Sequence, residues 1–459
     1  MANPLVKQQV ENFVSDYGMI FVLLLLCIIF SWATWSEQHP SGEAAGRLVA
    51  DQIADRLGTD ATVFVVATDS VENNAFVDAV QAGCKALGIQ VVGKVTGQPV
   101  DTRKAVDAII ESGKTISVIA CTQNIRSWGV FDALKAKHTS LKDVAFVVPE
   151  SYWWPVFLKS NNLLNIANQI AVIAILAIGM TMVIITGGID LSVGSLIALS
   201  AVVAAWLIRE YCGGVEANAM GMTISAIGAI VVCGGIGMFT GVMVTTFDIP
   251  PFISTLSVMM VASGLAYMLA GGQSVNDVPD SFVWLGRGAD LFGLPNAVVL
   301  MLVLYVIAHF MMTRMSLGRY IYAVGGNAEA ARLSGVPVKR ILLFVYTICG
   351  ALAGLGGVVL ASQLKSGGPT YGKLYELYVI AAVVVGGTSL SGGEGKVLGT
   401  LIGAFIIAVI QNGMNLTGVE SYTQLVVLGM VILLAVLIDR VKKAGWIRLA
   451  KRRDSVGSD

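Results

Sequence analysis

Few side chains in this 459-residue sequence can do chemistry, and their settings narrow what that chemistry is. Asp190 stands in Thr186-Gly187-Gly188-Ile189-Asp190-Leu191-Ser192-Val193-Gly194-Ser195, between two apolar runs. A carboxylate there must find a partner, reach water, or accept from the free amides of a helix N-terminus. Directly before Leu191 it is placed to cap a following helix. A direct role in a solute path is the other reading. Ser192, Ser195, Thr388, Ser389, Ser391, Asn412 and Asn415 lie in or beside apolar segments. Such groups can stand in for water around a polar solute, or can simply bond their own helix carbonyls. Of three histidines, His309 falls in an apolar run, where it is either functional or a neutral hydrogen-bonded core residue. No Walker A motif, H-E-x-x-H or dinucleotide fingerprint occurs, so no catalytic residues, no metal ligands and no cofactor in this chain are expected.

The elements that must position these groups are membrane helices. Hydrophobic residues make up 55% of the chain and charged residues only 13%, against about 25% charged in soluble proteins. A surface that apolar can face lipid but not water, which argues against a soluble enzyme. The 30 basic and 30 acidic residues leave no net field to attract polyanions, so no nucleic acid is expected as a partner. The charges are uneven: the 120 residues from Ser36 to Pro155 hold 11 Lys/Arg and 14 Asp/Glu, a water-soluble insert in an apolar body.

A span takes about 20 apolar residues. The first, Tyr17 to Trp35, is followed by no A-x-A site and reads as a retained anchor. Nine more are expected near 164–186, 191–208, 220–245, 251–271, 294–313, 341–362, 375–391, 395–413 and 421–438, about ten in all. Gly187-Gly188 and Gly386-Gly387 are places where a helix can break into half-spans. Arg314, Arg319, Arg332, Lys339 and Arg340, and the basic tail from Arg440 to Arg453, fall on one side, which the positive-inside rule makes the cytoplasm. Both termini are then cytoplasmic and the insert lies outside. Glycines at four-residue spacing (Gly395, Gly399 and Gly403; Gly237 and Gly241; Gly350 and Gly354) fit close helix packing, or a path where helices slide. The fold class is therefore an α-helical polytopic membrane protein with an inserted extracytoplasmic α/β lobe. Its domains are 1–35 (N-terminus and first span), 36–155 (the lobe), 156–440 (the transmembrane body) and 441–459 (the tail).

Within the insert, helix patterns at Gly46–Leu57, Ala75–Leu87, Thr102–Glu111 and Trp128–Lys137 alternate with strand patterns at Thr62–Val66, Gln90–Val92, Ile116–Ile119 and Val144–Val148. That order implies a parallel sheet with helices on both faces. The six cysteines show no metal-ligand spacing; Cys84 and Cys121 both lie in the insert and can pair in an oxidising compartment. Asp69-x6-Phe76, Lys85-Ala-Leu-Gly-Ile-Gln-Val-Val and Asp132-Ala-Leu-Lys-Ala-Lys resemble one lobe of ribose-type periplasmic sugar-binding proteins. Thr122-Gln123-Asn124-Ile125 and Val148-Pro149-Glu150-Ser151 replace the polar residues that bracket a sugar in that family, and no second lobe follows. A docking or regulatory lobe is the expectation, ahead of an independent sugar receptor or an inert relic.

Asn161-Asn162-Leu163-Leu164-Asn165-Ile166, Ala174 to Thr181, Gly187 to Ser195, Gly318 to Val336 and Ala381 to Gly393 resemble the membrane permeases of ribose-type ABC importers, over residues 160–440. The resemblance implies a permease that pairs with a second permease subunit, as homo- or heterodimer, in a bacterial inner membrane. A cytoplasmic ABC ATPase subunit would drive it, a small polar solute would be its cargo, and a periplasmic solute-binding protein is a further candidate partner. In that family the segment matching Glu329-Ala330-Ala331 is a coupling helix seated in the ATPase. The residues agree independently: Asn327 is a good N-cap, Glu329, Ala330, Ala331 and Arg332 favour helix, Gly325-Gly326 allow a sharp turn, and Gly335 and Pro337 end the element. A helix this short needs a surface to lie on, a partner protein or, in the alternative, the lipid headgroups. An ion-driven carrier would need more buried charges than Asp190, and a sensor would need a larger output domain than the tail supplies.

Overall fold

The computed structural model describes residues 4–437, with side chains from Gly18 onward; the basic tail lies outside the described residues. Two compact units emerge, one formed by residues up to Thr34 together with those from Val156, the other by Trp35–Pro155.

In the first unit, α1 (Pro4–Ala33) precedes the insert and α7 (Ser160–Ile185) follows it. Then come α8 (Val193–Tyr211), α9 (Ala219–Thr246), α10 (Pro251–Ala270), a short α11 (Trp284–Arg287) and α12 (Asn296–Arg314). Next are α13 (Ser316–Gly326), α14 (Ala328–Leu333), α15 (Val338–Leu364), α16 (Tyr375–Val385), α17 (Val397–Leu416) and α18 (Ser421–Leu437). Among the described residues, seven of these are long and apolar enough to cross a membrane: α7, α8, α9, α10, α12, α15 and α17. Of the other three segments expected as spans, α16 is a shorter apolar helix, while the apolar parts of α1 and α18 are described over Gly18–Ala33 and Ser421–Leu437. The reason at α16 is local: Gly386 closes the helix after 11 residues and Gly387 turns away with φ +84°.

The helix α7 is central. Of its most apolar stretch 89% is buried, against 28% in α10, whose outward face carries Phe252, Met260, Val261 and Met268. Without a hydrophobic drive between helices in lipid, close packing depends on small residues. The glycine rows supply it: Gly237 of α9 lies against Gly350 of α15, Gly241 against Leu343, Gly354 against Ile230 and Cys233, and Gly399 and Gly403 against Gly386 and Ala382. At α7, Gly179 faces the Cys349 backbone.

The second unit contains α2 (Gly42–Leu57), α3 (Val71–Ala86), α4 (Pro99–Glu111), α5 (Gln123–Arg126) and α6 (Val130–Lys137). Its strands are β1 (Trp35–Gln38), β2 (Thr62–Ala67), β3 (Gln90–Thr96), β4 (Val118–Cys121), β5 (Ala145–Val147) and β6 (Tyr152–Pro155). The parallel sheet runs β3-β2-β4-β5. Right-handed crossovers in opposite directions from β2 and from β3 put α3 and α4 on opposite faces, with the direction of winding reversing between β2 and β4. The strand expected at Ile116–Ile119 begins two residues later, because Ser117 pairs with Thr62 ahead of the ladder. An antiparallel ribbon of β1 and β6, for which the sequence shows no local pattern, joins the two ends of this unit.

Cys84 on α3 and Cys121 on β4 are buried free thiols. Burial raises Cys84 to about 11 and Cys121 to about 12, so both are protonated and inert at pH 8. Maleimide should leave them unlabelled in the native protein and label both after denaturation, as peptide mass spectrometry would show. At the α9–α15 crossing, a Cβ on Gly350 would lie 2.5 Å from the Cys233 carbonyl oxygen, whereas one on Gly235 meets open space. Gly350→Leu should cost about 1–3 kcal/mol and lower the melting temperature in detergent, while Gly235→Leu should leave it near wild type.

Candidate functional site

The C-terminal end of α7 is where the functional groups converge. The last four carbonyls of a helix have no partner within it; here Met182 O, Val183 O and Ile184 O accept from the amides of Thr186, Gly188 and Gly187, which leaves Ile185 O. The Gly393 amide donates to Ile185 O at 2.9 Å, joining α7 to the loop after α16. Gly325 of α13 packs onto the same carbonyl so closely that any side chain would overlap it, and a Cβ there would also come within 2.7 Å of Gly393 N. Gly392, at φ +82°, faces Gly325 O and Gly187 N. Tyr322 Oη, one turn back on α13, donates to Gly395 O at 2.7 Å. Three backbones thus meet: the 186–192 turn, the 386–396 turn and the end of α13. Gly325 and Gly326 are therefore the last helical residues of α13 rather than a sharp turn, and what Gly325 needs is closeness of approach.

The first turn holds Asp190, which is 1% exposed. Its Oδ1 accepts from Ser192 N at 2.9 Å and from Ser192 Oγ at 2.6 Å, an Asx turn. The helix α8 starts at Val193 with Ser192 in the capping position, so Asp190 shapes the entry to the helix and is not its N-cap. Cys349 and Tyr346 of α15 face the carboxylate, and Gly188 lies under the Tyr346 hydroxyl. Ser195 is half-buried in the first turn of α8. The second turn holds Thr388 and Ser389, both buried. Among the described residues, Thr388 Oγ1 has no hydrogen-bond partner. Ser389 Oγ accepts from Ser391 N at 3.2 Å, and Ser391 is exposed.

Two expected members lie elsewhere. Asn412 forms a reciprocal amide pair with Asn162, at 3.0 and 2.9 Å, which clasps α17 to the first turn of α7. With α7 26 residues long, the clasp and the turns are separated by about 35 Å. Asn415 is exposed and accepts from Gln424 at 2.8 Å. His309 is also exposed, on the outer side of α12, and is not a core residue. Sequence reasoning missed Glu376 of α16, whose carboxylate lies against Gly194 in the first turn of α8. Its only sequence signal is an acid opening an apolar run.

The end of α13 leads directly into α14. Asn327 Oδ1 accepts from Ala330 N at 2.9 Å, an N-cap. Gly335, at φ +84°, closes the other end, with Val336 N donating to Ala331 O. Glu329 and Arg332 pair with each other, which holds the Glu329 carboxyl below its usual range. The pair is complete at neutral pH and is lost as pH falls through that lowered value. Both side chains are exposed, Leu333 is 77% exposed, and only Ala331 is buried. Among the described residues, no cluster of three or more His, Cys, Asp or Glu could hold a metal. A separate cleft of about 540 Å³ opens between α9 and α10, lined by Phe239, Met243, Ser254, Val258 and Leu265, and includes none of these groups.

Residues 162–436 match the family described as "Branched-chain amino acid transport system / permease component". The chain is 46% identical to the ribose import permease protein of Escherichia coli strain K12 over 293 residues, 63% of this chain and 88% of that protein. It is 44% identical to the ribose import permease protein of Bacillus subtilis strain 168 over 292 residues, 63% of this chain and 88% of that one. With the D-allose transport system permease protein of Escherichia coli strain K12 it shares 39% identity over 285 residues, 62% and 85% of the two chains. The family match begins after the Trp35–Pro155 unit. No solved structure matches the chain.

Asp190→Asn keeps an oxygen to accept from Ser192 and should leave thermal stability within a few degrees of wild type. Asp190→Ala leaves the Ser192 donors unpaired in a buried turn and should cost about 1–3 kcal/mol, read as a lowered melting temperature in detergent.

Proposed function

Since the chain belongs to the permease family that residues 162–436 match, we propose that it is the membrane subunit of an ABC importer for a sugar or similar polyhydroxylated solute, powered by ATP hydrolysis on a separate cytoplasmic subunit. The names of the ribose and allose relatives support the solute class. The observation that carries the coupling is the three-way backbone contact of Gly325, Ile185 and Gly393. In this reading α14 is the exposed end of a lever seated in the ATPase, and α13 is its arm. Because the arm rests on backbone without intervening side chains, a displacement of α14 moves both turns. The residues carried by those turns, Asp190, Ser192, Thr388 and Ser389, then sit at a gate near the cytoplasmic side.

Orientation follows from Arg314, Arg319, Arg332, Lys339 and Arg340, which assign α12–α15 connections to the cytoplasm and the Trp35–Pro155 lobe to the outside. A second permease copy or homologue completes the path. The lobe serves as a docking element. Where its direction of winding reverses, Asn73 donates to Thr68 Oγ1 at 2.6 Å and Asn74 to Asp69 at 3.3 Å, so these polar groups are engaged with each other. That favours a surface for another protein, such as a solute-binding protein, over an independent sugar receptor.

Affinity purification from the native membrane tests the partner. Wild type should bring down a nucleotide-hydrolysing subunit. The double variant Glu329→Lys, Arg332→Glu, which keeps an intrahelical pair but inverts its field, should lose it. Wild type arriving alone under gentle detergent would remove the importer reading. Gly325→Val tests the lever separately: the ATPase should stay bound while solute uptake falls at least tenfold, and unchanged uptake would refute the relay.

A further inference from the structure

The β1–β6 ribbon has no dry side. Cross-strand pairing puts Glu37 with Trp153, Ser36 with Trp154, Gln38 with Tyr152 and Trp35 with Pro155. Alternation then divides the aromatic residues between both faces, Trp35 and Trp153 on one, Tyr152 and Trp154 on the other. All four are exposed: Trp35 by 53%, Tyr152 by 47%, Trp153 by 61% and Trp154 by 45%. An isolated two-stranded ribbon is marginal in water, and this one belongs to neither the four-stranded sheet nor its core. Four large rings left in water on so small an element call for a covering.

Chain connectivity says what that covering is. The ribbon starts two residues after Ala33, the last residue of α1, whose final turns expose Ile28, Ile29 and Trp32, the last by 82%. Its other end, Pro155, is followed by Val156, whose amide donates to Thr34 O at 3.0 Å, and by Phe157, whose amide donates to Thr34 Oγ1 at 3.1 Å. Both strands therefore leave from the level at which a lipid-facing helix ends. That level is the interfacial zone, which takes aromatic bodies against acyl chains and polar edges among headgroups. It covers both faces of a ribbon at once, as a protein groove on one side would not.

We infer that the Trp35–Gln38/Tyr152–Pro155 ribbon is a lipid-interface anchor, in which Trp35, Tyr152, Trp153 and Trp154 insert among the headgroups of the bilayer. The inference rests on the membrane assignment of the family. It makes the β1–β6 ribbon part of the membrane contact surface.

The test uses the full chain in nanodiscs, with lipids brominated either near the carbonyl or near the chain end, and iodide as aqueous quencher. The emission lost in Trp153→Phe, Trp154→Phe relative to wild type reports those two rings, and the conservative ring keeps the ribbon covered. That component should be quenched at least twofold by shallow bromine and be nearly insensitive to iodide. Quenching by iodide alone would place the rings in water and overturn the inference. Insensitivity to both would show a protein cover, a second copy or another chain, and would overturn it equally. Hydroxyl-radical footprinting of the unsubstituted chain gives an independent readout: Trp153 and Trp154 should be protected in nanodiscs and reactive in lipid-free detergent-stripped protein. If no tryptophan at all responds to brominated lipid, it is the membrane assignment that has failed and not the ribbon alone.

Discussion

One carbonyl oxygen organises the candidate site of this molecule. A helix that ends inside a membrane leaves backbone acceptors that lipid cannot satisfy. At Ile185 the acceptor takes the Gly393 amide, and the same oxygen forms the seat on which Gly325 rests. The breaks at Gly187 and Gly387, the absence of a side chain at Gly325, Gly392 and Gly393, and the position of Tyr322 over Gly395 all follow from letting three backbones meet at one point. Side chains in such a contact would leave rotamers through which a displacement could be lost. Glycine leaves none.

The rest of the bundle holds this point in place. The central helix α7 is fixed at its other end by the Asn162–Asn412 amide pair, and along its length by Gly179 against Cys349 and by the Tyr305 hydroxyl donating to Ala174 O at 3.0 Å. Its neighbour α15 is held to α9 by facing glycine rows. The less enclosed helices, α9, α10 and α12, present their outer faces to the surroundings. The bundle thus has a closely packed inner set and a more exposed outer set of helices.

What could be read from the sequence follows how local each feature is. Long apolar runs mark α7, α9 and α15, and the strand–helix alternation marks the parallel sheet, because both signals repeat within a single element. Asn327 and Gly335 bracket α14 legibly, since caps act over three or four residues. The start of α8 is misplaced by a few residues because Asp190 and Ser192 are both capping types, and only the Asx turn decides between them. The Asn162–Asn412 clasp joins residues 250 apart, the β1–β6 ribbon pairs strands with the whole lobe between them, and Glu376 meets Gly194 across the bundle. None of these leaves a periodic trace. Residues singled out for their polarity accordingly divide into two groups at opposite ends of α7, a division that polarity alone does not show.

The bonds from Val156 and Phe157 back to Thr34, with Phe30 stacked on Phe157, have a consequence for how such a chain can arise. They bring Thr34 and Val156, the two ends of the helical unit between which the lobe is inserted, to neighbouring positions, as the ends of a hairpin are. Loop-closure entropy grows only with the logarithm of loop length, so a whole folded module costs that junction little more than a short connection would. The junction is thus a socket. Whatever folds by itself and brings its two ends together can be exchanged there while the helical body is left as it was.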